Sequence, residues 1–290
     1  MNQRAEDAFR ADIVEVGRRM YARGYVASND GNISIRLDDD TILTTPKSVS
    51  KGFMTPDMMV VTDLTGKKIR GARDASSELL MHLEVYKNRP DARAVVHAHP
   101  PTATGFAVAG IPLDRAVLAE VVTTLGSIPI AEYGTPSTPE LPEAVRKYIK
   151  AHDGLLLANH GALTVAGDVF AAYYKMETIE HFARISLVAR QLGREHLLSR
   201  DEVTRLQGLR GNYGIKSPAP ICADGSTLPP SEQDPATCQI IQSPALSGPG
   251  GARLIPTDPS DLDGEIRLSY RELTALIEDA VKALLGGQHG

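Results

Sequence analysis

His97 and His99 stand two residues apart in a valine-rich run covering residues 93–101. Such a run predicts a strand, and strand side chains alternate faces, so both imidazoles project from one side. That geometry can offer one metal ion two nitrogen ligands. A further histidine, His160, follows the apolar residues 155–158 within Asn159-His160-Gly161. Upstream, Ser76-Ser77-Glu78 adds a carboxylate at the start of an amphipathic stretch. Three histidines at strand ends with one carboxylate match an open zinc-type site, which has three protein ligands and a vacant position. The plainer alternative is polar residues at a strand edge. An HxH pair joined by another histidine in an NHG turn favours the metal.

The elements that must position these groups follow from periodicity. Residues 4–22 predict a helix with Ile13, Val16, Gly17 and Met20 on one face, stopping at Gly24. After a turn at 28–32, Ile33, Ile35 and Leu37 alternate as a strand, and Asp38-Asp39-Asp40 is a solvated turn into a second strand, 41–45. Residues 45–52 form a loop rich in donors. Their hydroxyls, amides and one or two ammonium groups either cradle an anion or form an ordinary surface loop. Residues 58–62 and 67 onward predict a hairpin about the turn at 63–66. Ser76 and Ser77 suit a helix N-cap, and Leu79, Leu80, Leu83 and Tyr86 continue at helical spacing. That helix start suits a phosphate and keeps Glu78 ionised, as base or metal ligand; the same residues also satisfy a simple cap.

Further along, residues 102–109 predict a short helix. Glu120 lies in the apolar segment 117–122, as either an exposed helix residue or a second acid/base group. Thr138-Pro139-Glu140 predicts a helix reaching His152. Asp168 caps the longest helix, whose stripe is Val169, Ala172, Tyr173, Met176, Ile179, Phe182 and Val188. His82, His152, His181 and His196 fall on helices or their ends and read as structural or solvated.

The chain has 290 residues, enough for one large domain or a domain with an appendage, and 42% of them are hydrophobic, enough for a substantial core. No stretch reaches membrane-spanning length and the N-terminus lacks a signal-peptide core, so a cytoplasmic address is expected. Cys222 and Cys238 make neither a disulfide framework nor a CxxC site. With net charge −5 and no basic stripe, nucleic acid is not an expected partner. Residues 217–290 hold 10 acidic and 4 basic residues, net −6, leaving 26 and 27, net +1, for residues 1–216. Nine of the 19 prolines lie between 217 and 260. The expected organisation is therefore a catalytic domain over 1–216, a Pro/Ser/Gly-rich linker over 217–260, and a C-terminal amphipathic helix within 261–290.

Taken in order, Gly31-Asn32-Ile33-Ser34, Thr45-Pro46, Ser76-Ser77-Glu78, His97-x-His99, Asn159-His160-Gly161 and Asn212-Tyr213-Gly214 resemble the motif series of the class II aldolase/adducin family, nearest to its L-fuculose-1-phosphate aldolase branch. The resemblance covers residues 5–216. It implies an α/β fold, a three-layer α/β/α sandwich with a mostly antiparallel central sheet, assembled as a cyclic homotetramer with active sites between subunits. It also implies one Zn²⁺ or another divalent ion per subunit on His97, His99 and His160, with Glu78 as acid/base. Asn32, Lys47, Ser48, Ser76 and Ser77 match the phosphate pocket, and Tyr213 matches a tyrosine that reaches a neighbouring subunit's site. The implied reaction cleaves a ketose 1-phosphate of the L-fuculose or L-rhamnulose type to dihydroxyacetone phosphate and an aldehyde such as lactaldehyde.

Departures from that pattern leave the aldehyde and its stereochemistry open. Lys47-Ser48 replaces a Thr-Gly pair and adds a cation, while Ala116 and Pro136 stand where the branch carries a tyrosine and a phenylalanine. Glu120 lies near the place where related dehydratases and epimerases carry a catalytic acid. A pentulose-phosphate 4-epimerase or a (methylthio)ribulose-1-phosphate dehydratase is therefore the alternative. A non-enzymatic adducin-like scaffold is a further one, disfavoured because all three histidines and Glu78 are retained. In the tail, Tyr270, Leu273, Leu276, Ile277, Ala280, Val281, Leu284 and Leu285 fall on one helical stripe that needs a partner surface. That surface is either the enzyme's own body or a neighbouring subunit, or a shell protein, since a linker plus terminal helix resembles the encapsulation peptides of bacterial microcompartment enzymes.

Overall fold

The apolar face read at residues 13, 16 and 20 is buried along α1 (Gln3–Ala22) in the computed structural model, which describes residues 3–215 and 221. Apart from Ile221, which is buried beside Ala116, Val122 and Val203, the predicted linker and the terminal helix of 261–290 lie outside the described residues. After α1 come β1 (Asn32–Arg36), β2 (Thr41–Thr44), β3 (Val60–Asp63) and β4 (Lys68–Arg70). Then follow α2 (Leu79–Asn88), β5 (Ala94–Ala98), α3 (Pro101–Val108), α4 (Ala119–Thr124), β6 (Ile130–Ala131) and α5 (Glu140–Arg146). The series ends with β7 (Gly154–Leu157), β8 (Gly161–Ala166), α6 (Val169–Gln191) and α7 (Arg200–Gly208).

Among the described residues the strands form one sheet, ordered β4-β3-β2-β1-β5-β8-β7-β6, antiparallel throughout except for the β6–β7 pair. Side-chain alternation divides the core between its two faces. Ile33, Ile35, Ala94, Val96 and Ala98 pack with residues of α1, α3 and α6. Ile42, Val95, Leu155, Leu157, Leu163 and Val165 pack on the opposite face with residues of α2 and α5. The result is the expected three-layer α/β/α sandwich. On the α2 face, the polar position Ser34 is satisfied by His82 Nδ1 at 2.7 Å and Tyr86 Oη at 2.8 Å. Burial pushes the His82 pKa down to about 3, so this imidazole is a neutral core group, as its helical position suggested.

Three local expectations are corrected. The helix expected to run to His152 stops at Arg146, and residues 147–151 continue as turns. Beyond the helix end the Arg89 guanidinium donates to the carbonyls of Ile149 (3.1 Å) and His152 (3.3 Å), satisfying acceptors that no helical N–H reaches. On α6, Asp168 caps as expected, accepting from the Ala171 N–H at 2.8 Å, but Val188 is 48% exposed and lies beyond the buried part of the stripe. Finally, α2 begins at Leu79 and neither serine caps it by helical geometry; Ser76 Oγ instead accepts from the Glu78 N–H.

Arg89 belongs to a buried ionic cluster that ties α2, β7 and α6 together. Asp153 accepts from Arg89 Nη2 at 2.8 Å and from Lys175 Nζ at 2.7 Å, both carboxylate oxygens being engaged. Burial alone would raise the Asp153 pKa, but Lys175 and Arg89 together hold it below the usual carboxylate range. A lowered native pKa means that this stabilisation is complete above the unfolded-state value of about 3.9 and is lost as pH falls toward the native value. Asp153→Asn should therefore cost about 3 kcal/mol near neutral pH, because Lys175 loses its counter-charge and Arg89 is left with Asp91 alone. Denaturant titration followed by circular dichroism at fixed protein concentration measures this. A midpoint unchanged from wild type would rule out a stabilising cluster.

Candidate metal centre and active site

Strand order brings the three histidines together. β5 lies between β1 and β8, and His97 is paired across the sheet with Asn32 on one side and Leu163 on the other. His99 follows directly after β5, its N–H bonded to the Tyr25 carbonyl at 2.9 Å. His160 sits in the turn between β7 and β8, after Asn159 at φ 55. The glycine of the NHG turn is sterically required. A Cβ at Gly161 would lie 2.5 Å from the Ala98 carbonyl oxygen and 2.6 Å from His99 Cδ2. Any larger residue would push β8 off the imidazole beside it.

The candidate ligand atoms of His97, His99 and His160 all lie within 4.8 Å of one another. His97 is fully buried and its Nδ1 donates to the Ala162 carbonyl at 2.8 Å, which leaves the Nε2 lone pair free for a metal. His99 Nε2 is 3.2 Å from His97 Nε2, and its Nδ1 faces Asp30 Oδ2 at 3.4 Å. Burial, followed by the neighbouring His97 and His160, pushes the His99 pKa down to about 4, favouring the neutral, ligating form. Glu78 completes the cluster, 3.1 Å from His160 Nε2 and 3.5 Å from His97 Nε2. Burial works to raise its pKa, yet His160 and His97 together hold it well below the usual carboxylate range. The donor set therefore fits a divalent ion: three converging imidazoles, one with its second nitrogen fixed by a carbonyl, and an ionised carboxylate beside them.

Next to Glu78 and His99 opens a cleft of ≈ 250 Å³ lined by Lys47, Ser48, Lys51, Ser76 and Ser77. Two contacts join its serine-bearing segments: the Lys47 N–H to the Asp74 carbonyl at 2.9 Å, and the Ser76 N–H to the Thr45 carbonyl at 3.1 Å. Ser48 holds φ 57, a strained conformation for a residue with a Cβ. Asn32 is not on the cleft wall. It is buried behind Ser76, donating from Nδ2 to Ser76 Oγ at 2.8 Å, while its Oδ1 is buried without a partner.

The structure thus gathers His97, His99, His160, Glu78, Lys47, Ser48, Ser76 and Ser77 about one site. It does not bring Glu120 or Tyr213 there within a single chain. Glu120 lies on α4 in a separate groove with Arg23, Glu180, His181 and Arg184. Tyr213 is 64% exposed at the end of a short 3-10 turn, Arg210–Tyr213. Two neighbours were missing from the residues singled out by sequence: Asp30, behind His99, and Lys51, in the cleft wall. Asp30 stood in the turn before β1 with no motif to mark it, whereas the cationic loop did signal Lys51.

Comparison with known proteins bears on the family and the fold. The family model described as Class II Aldolase and Adducin N-terminal domain matches residues 11–187. An L-fuculose phosphate aldolase of Methanococcus maripaludis is 34% identical over 181 residues, covering 62% of this chain and 97% of that protein. A 3-oxo-tetronate 4-phosphate decarboxylase of Pectobacterium atrosepticum is 31% identical over 188 residues, covering 63% and 86% respectively. Among solved structures, an L-fuculose 1-phosphate aldolase superposes with a TM-score of 0.65 at 28% identity, covering 69% of this chain and 95% of that one.

Proposed function

The chain belongs to the class II aldolase and adducin family, and from that premise we propose that it is a zinc-dependent sugar-phosphate aldolase. The proposed reaction cleaves a ketose 1-phosphate of the L-fuculose or L-rhamnulose type between C3 and C4, giving dihydroxyacetone phosphate and an aldehyde such as lactaldehyde. One observation carries this reading: Glu78 lies between the three-histidine cluster and a cleft lined by serines and lysines. A carboxylate so placed can exchange a proton with a carbon whose neighbouring oxygen lies at the histidines and whose phosphate lies in the cleft.

His97, His99 and His160 would hold the ion, which supplies Lewis-acid stabilisation of the oxyanion of the enediolate. The chain's own residues perform the rest. Ser48, Ser76, Ser77 and Lys47 would hold the phosphate and so fix the reacting carbons opposite Glu78. Asn32 would orient the Ser76 hydroxyl from behind. The Glu78 carboxylate would take the proton of the C4 hydroxyl, the C4–O bond would become the aldehyde carbonyl as the C3–C4 electron pair passes toward the C2 oxygen, and the Glu78 acid so formed would return that proton to C3. In the synthetic direction the Glu78 carboxylate removes that proton. The exposure of Tyr213 supports a role at a neighbouring subunit's site, and we infer a homotetramer in which it reaches across. An enzyme releasing a reactive aldehyde would also suit a microcompartment, with residues 261–290 as the address.

A second reading has a specific support, the similarity to the decarboxylase. Loss of CO₂ from a 3-oxo acid leaves the same kind of enolate oxyanion and could use the same histidines. An assay of the zinc-loaded full chain against ketose 1-phosphates, pentulose 5-phosphates and a 3-oxo-tetronate 4-phosphate separates the possibilities. Dihydroxyacetone phosphate formed in equal amount with an aldehyde is expected. Inversion at C4 of a pentulose 5-phosphate without triose phosphate, or CO₂ release from the oxo acid alone, would overturn the aldolase assignment.

A further inference from the structure

Lys51 is 2% exposed, and a buried ammonium is costly unless its charge and its three N–H groups are satisfied. Its Nζ donates to the Asn29 carbonyl at 2.9 Å and to the Val49 carbonyl at 2.8 Å. Among the described residues the third N–H has no acceptor, and no carboxylate lies within ion-pair distance. Asp30 and Glu78 are the acidic groups that face it, and both are turned to other partners, Asp30 to His99 and Glu78 to His97 and His160. The charge is thus unbalanced inside a wall of the serine-lined cleft.

The backbone fixes this cation rigidly. Lys51 opens a 3-10 turn, Lys51–Phe53, that presses directly on α1. A Cβ at Gly17 of α1 would come 2.7 Å from the Lys51 carbonyl oxygen and 2.5 Å from Met54 Cε, so the helix carries a glycine where the turn approaches. The two carbonyls that hold Nζ come from the 29–31 and 47–51 segments, and both segments line the cleft. Lys47, by contrast, is exposed, and its charge is screened by water.

We propose that Lys51 is the cation that neutralises the phosphate of the substrate, a role that rests on the sugar-phosphate reading above, and that Lys47 makes only a secondary contact at the rim. A phosphate in the cleft supplies the missing acceptor and the missing counter-charge together, while the hydroxyls of Ser48, Ser76 and Ser77 can donate to its other oxygens. The segments pinned by Nζ would then be anchored by the ligand as well, so Lys51 couples phosphate binding to the position of Asp30 behind His99.

The test is calorimetric titration of the zinc-loaded full chain with inorganic phosphate, comparing wild type, Lys51→Met and Lys47→Met at pH 7.5. Loss of about 30-fold or more in affinity is expected for Lys51→Met, against no more than about threefold for Lys47→Met. The reverse order would overturn the role of Lys51 while leaving a phosphate-binding enzyme intact. No phosphate binding by wild type would overturn both this role and the sugar-phosphate reading. Should Lys51→Met not fold, the wild-type pH profile decides, measured with zinc and again after chelation. Burial pushes the Lys51 pKa down to about 8, with Asp30 and Glu78 opposing. Affinity falling by about tenfold per pH unit above that point in both preparations supports the role, since the second ionisation of phosphate is by then complete. A flat profile to pH 9.5 overturns it.

Discussion

Glu78→Gln should leave the protein folded and metal-loaded while lowering turnover by about 10²–10⁴. The amide keeps the size of the carboxylate and can still face the imidazoles, but it cannot carry a proton to or from carbon. Glu78 makes no side-chain cap on α2, so its replacement removes no helix-capping bond. The surrounding hydrogen bonds, Asn32 to Ser76 and Ser76 to the Glu78 backbone, do not involve the carboxylate either. Stability and phosphate binding should therefore stay close to wild type, with the loss confined to kcat. A deuterium label sharpens the measurement. In wild type, dihydroxyacetone phosphate should exchange a C3 proton with solvent, and in Glu78→Gln this exchange should slow in parallel with cleavage. If Glu120→Gln abolishes turnover and Glu78→Gln does not, the acid/base assignment moves to the α4 groove, and the dehydratase or epimerase reading gains.

How much of this was legible in the sequence differs between fold and site for a physical reason. Periodicity reports burial, so α1, α6 and the alternation of β1 could be read from single residues such as Ile13, Met176 and Ile33. It cannot report where a helix yields to turns that serve another side chain. Arg89 lies some 60 positions from the carbonyls it takes, and nothing local to Ile149 announces that contact. The same division runs through the site. His97, His99 and His160 were visible because strand pleat and an NHG turn fix their directions locally. Lys51 was visible only as a cation in a loop, because its burial depends on contact with Gly17, more than 30 residues away. Glu120 and Tyr213 mark a further limit. The proposed reach of Tyr213 into a neighbouring subunit's site is a relation between chains, and Glu120 faces a different groove from the histidines, neither of which spacing within the sequence can specify.

His97→Ala should abolish stoichiometric metal binding, taking the protein from about one ion per chain to a small fraction of that, and should remove activity with it. Of the three histidines, His97 is the most fully enclosed, and it touches every other member of the cluster: His99 at 3.2 Å, Glu78 at 3.5 Å, and the His160 ring at a centroid distance of 4.8 Å. Its loss leaves two imidazoles, too few for a three-ligand site, and strands the Ala162 carbonyl that fixed the ring. Removing only an outer partner should act more mildly. Asp30→Ala deletes the carboxylate facing His99 Nδ1 but leaves three ligands, so metal affinity should fall by about 10–100-fold with the site still fillable at high zinc. Elemental analysis after dialysis, together with zinc titration against a chromophoric competitor, measures both effects. The order matters more than either value: a steep loss for His97→Ala and a partial, zinc-rescuable loss for Asp30→Ala. Full metal content in dialysed His97→Ala protein would mean that the ion sits elsewhere, and the placement of the reacting oxygen opposite Glu78 would fall with it.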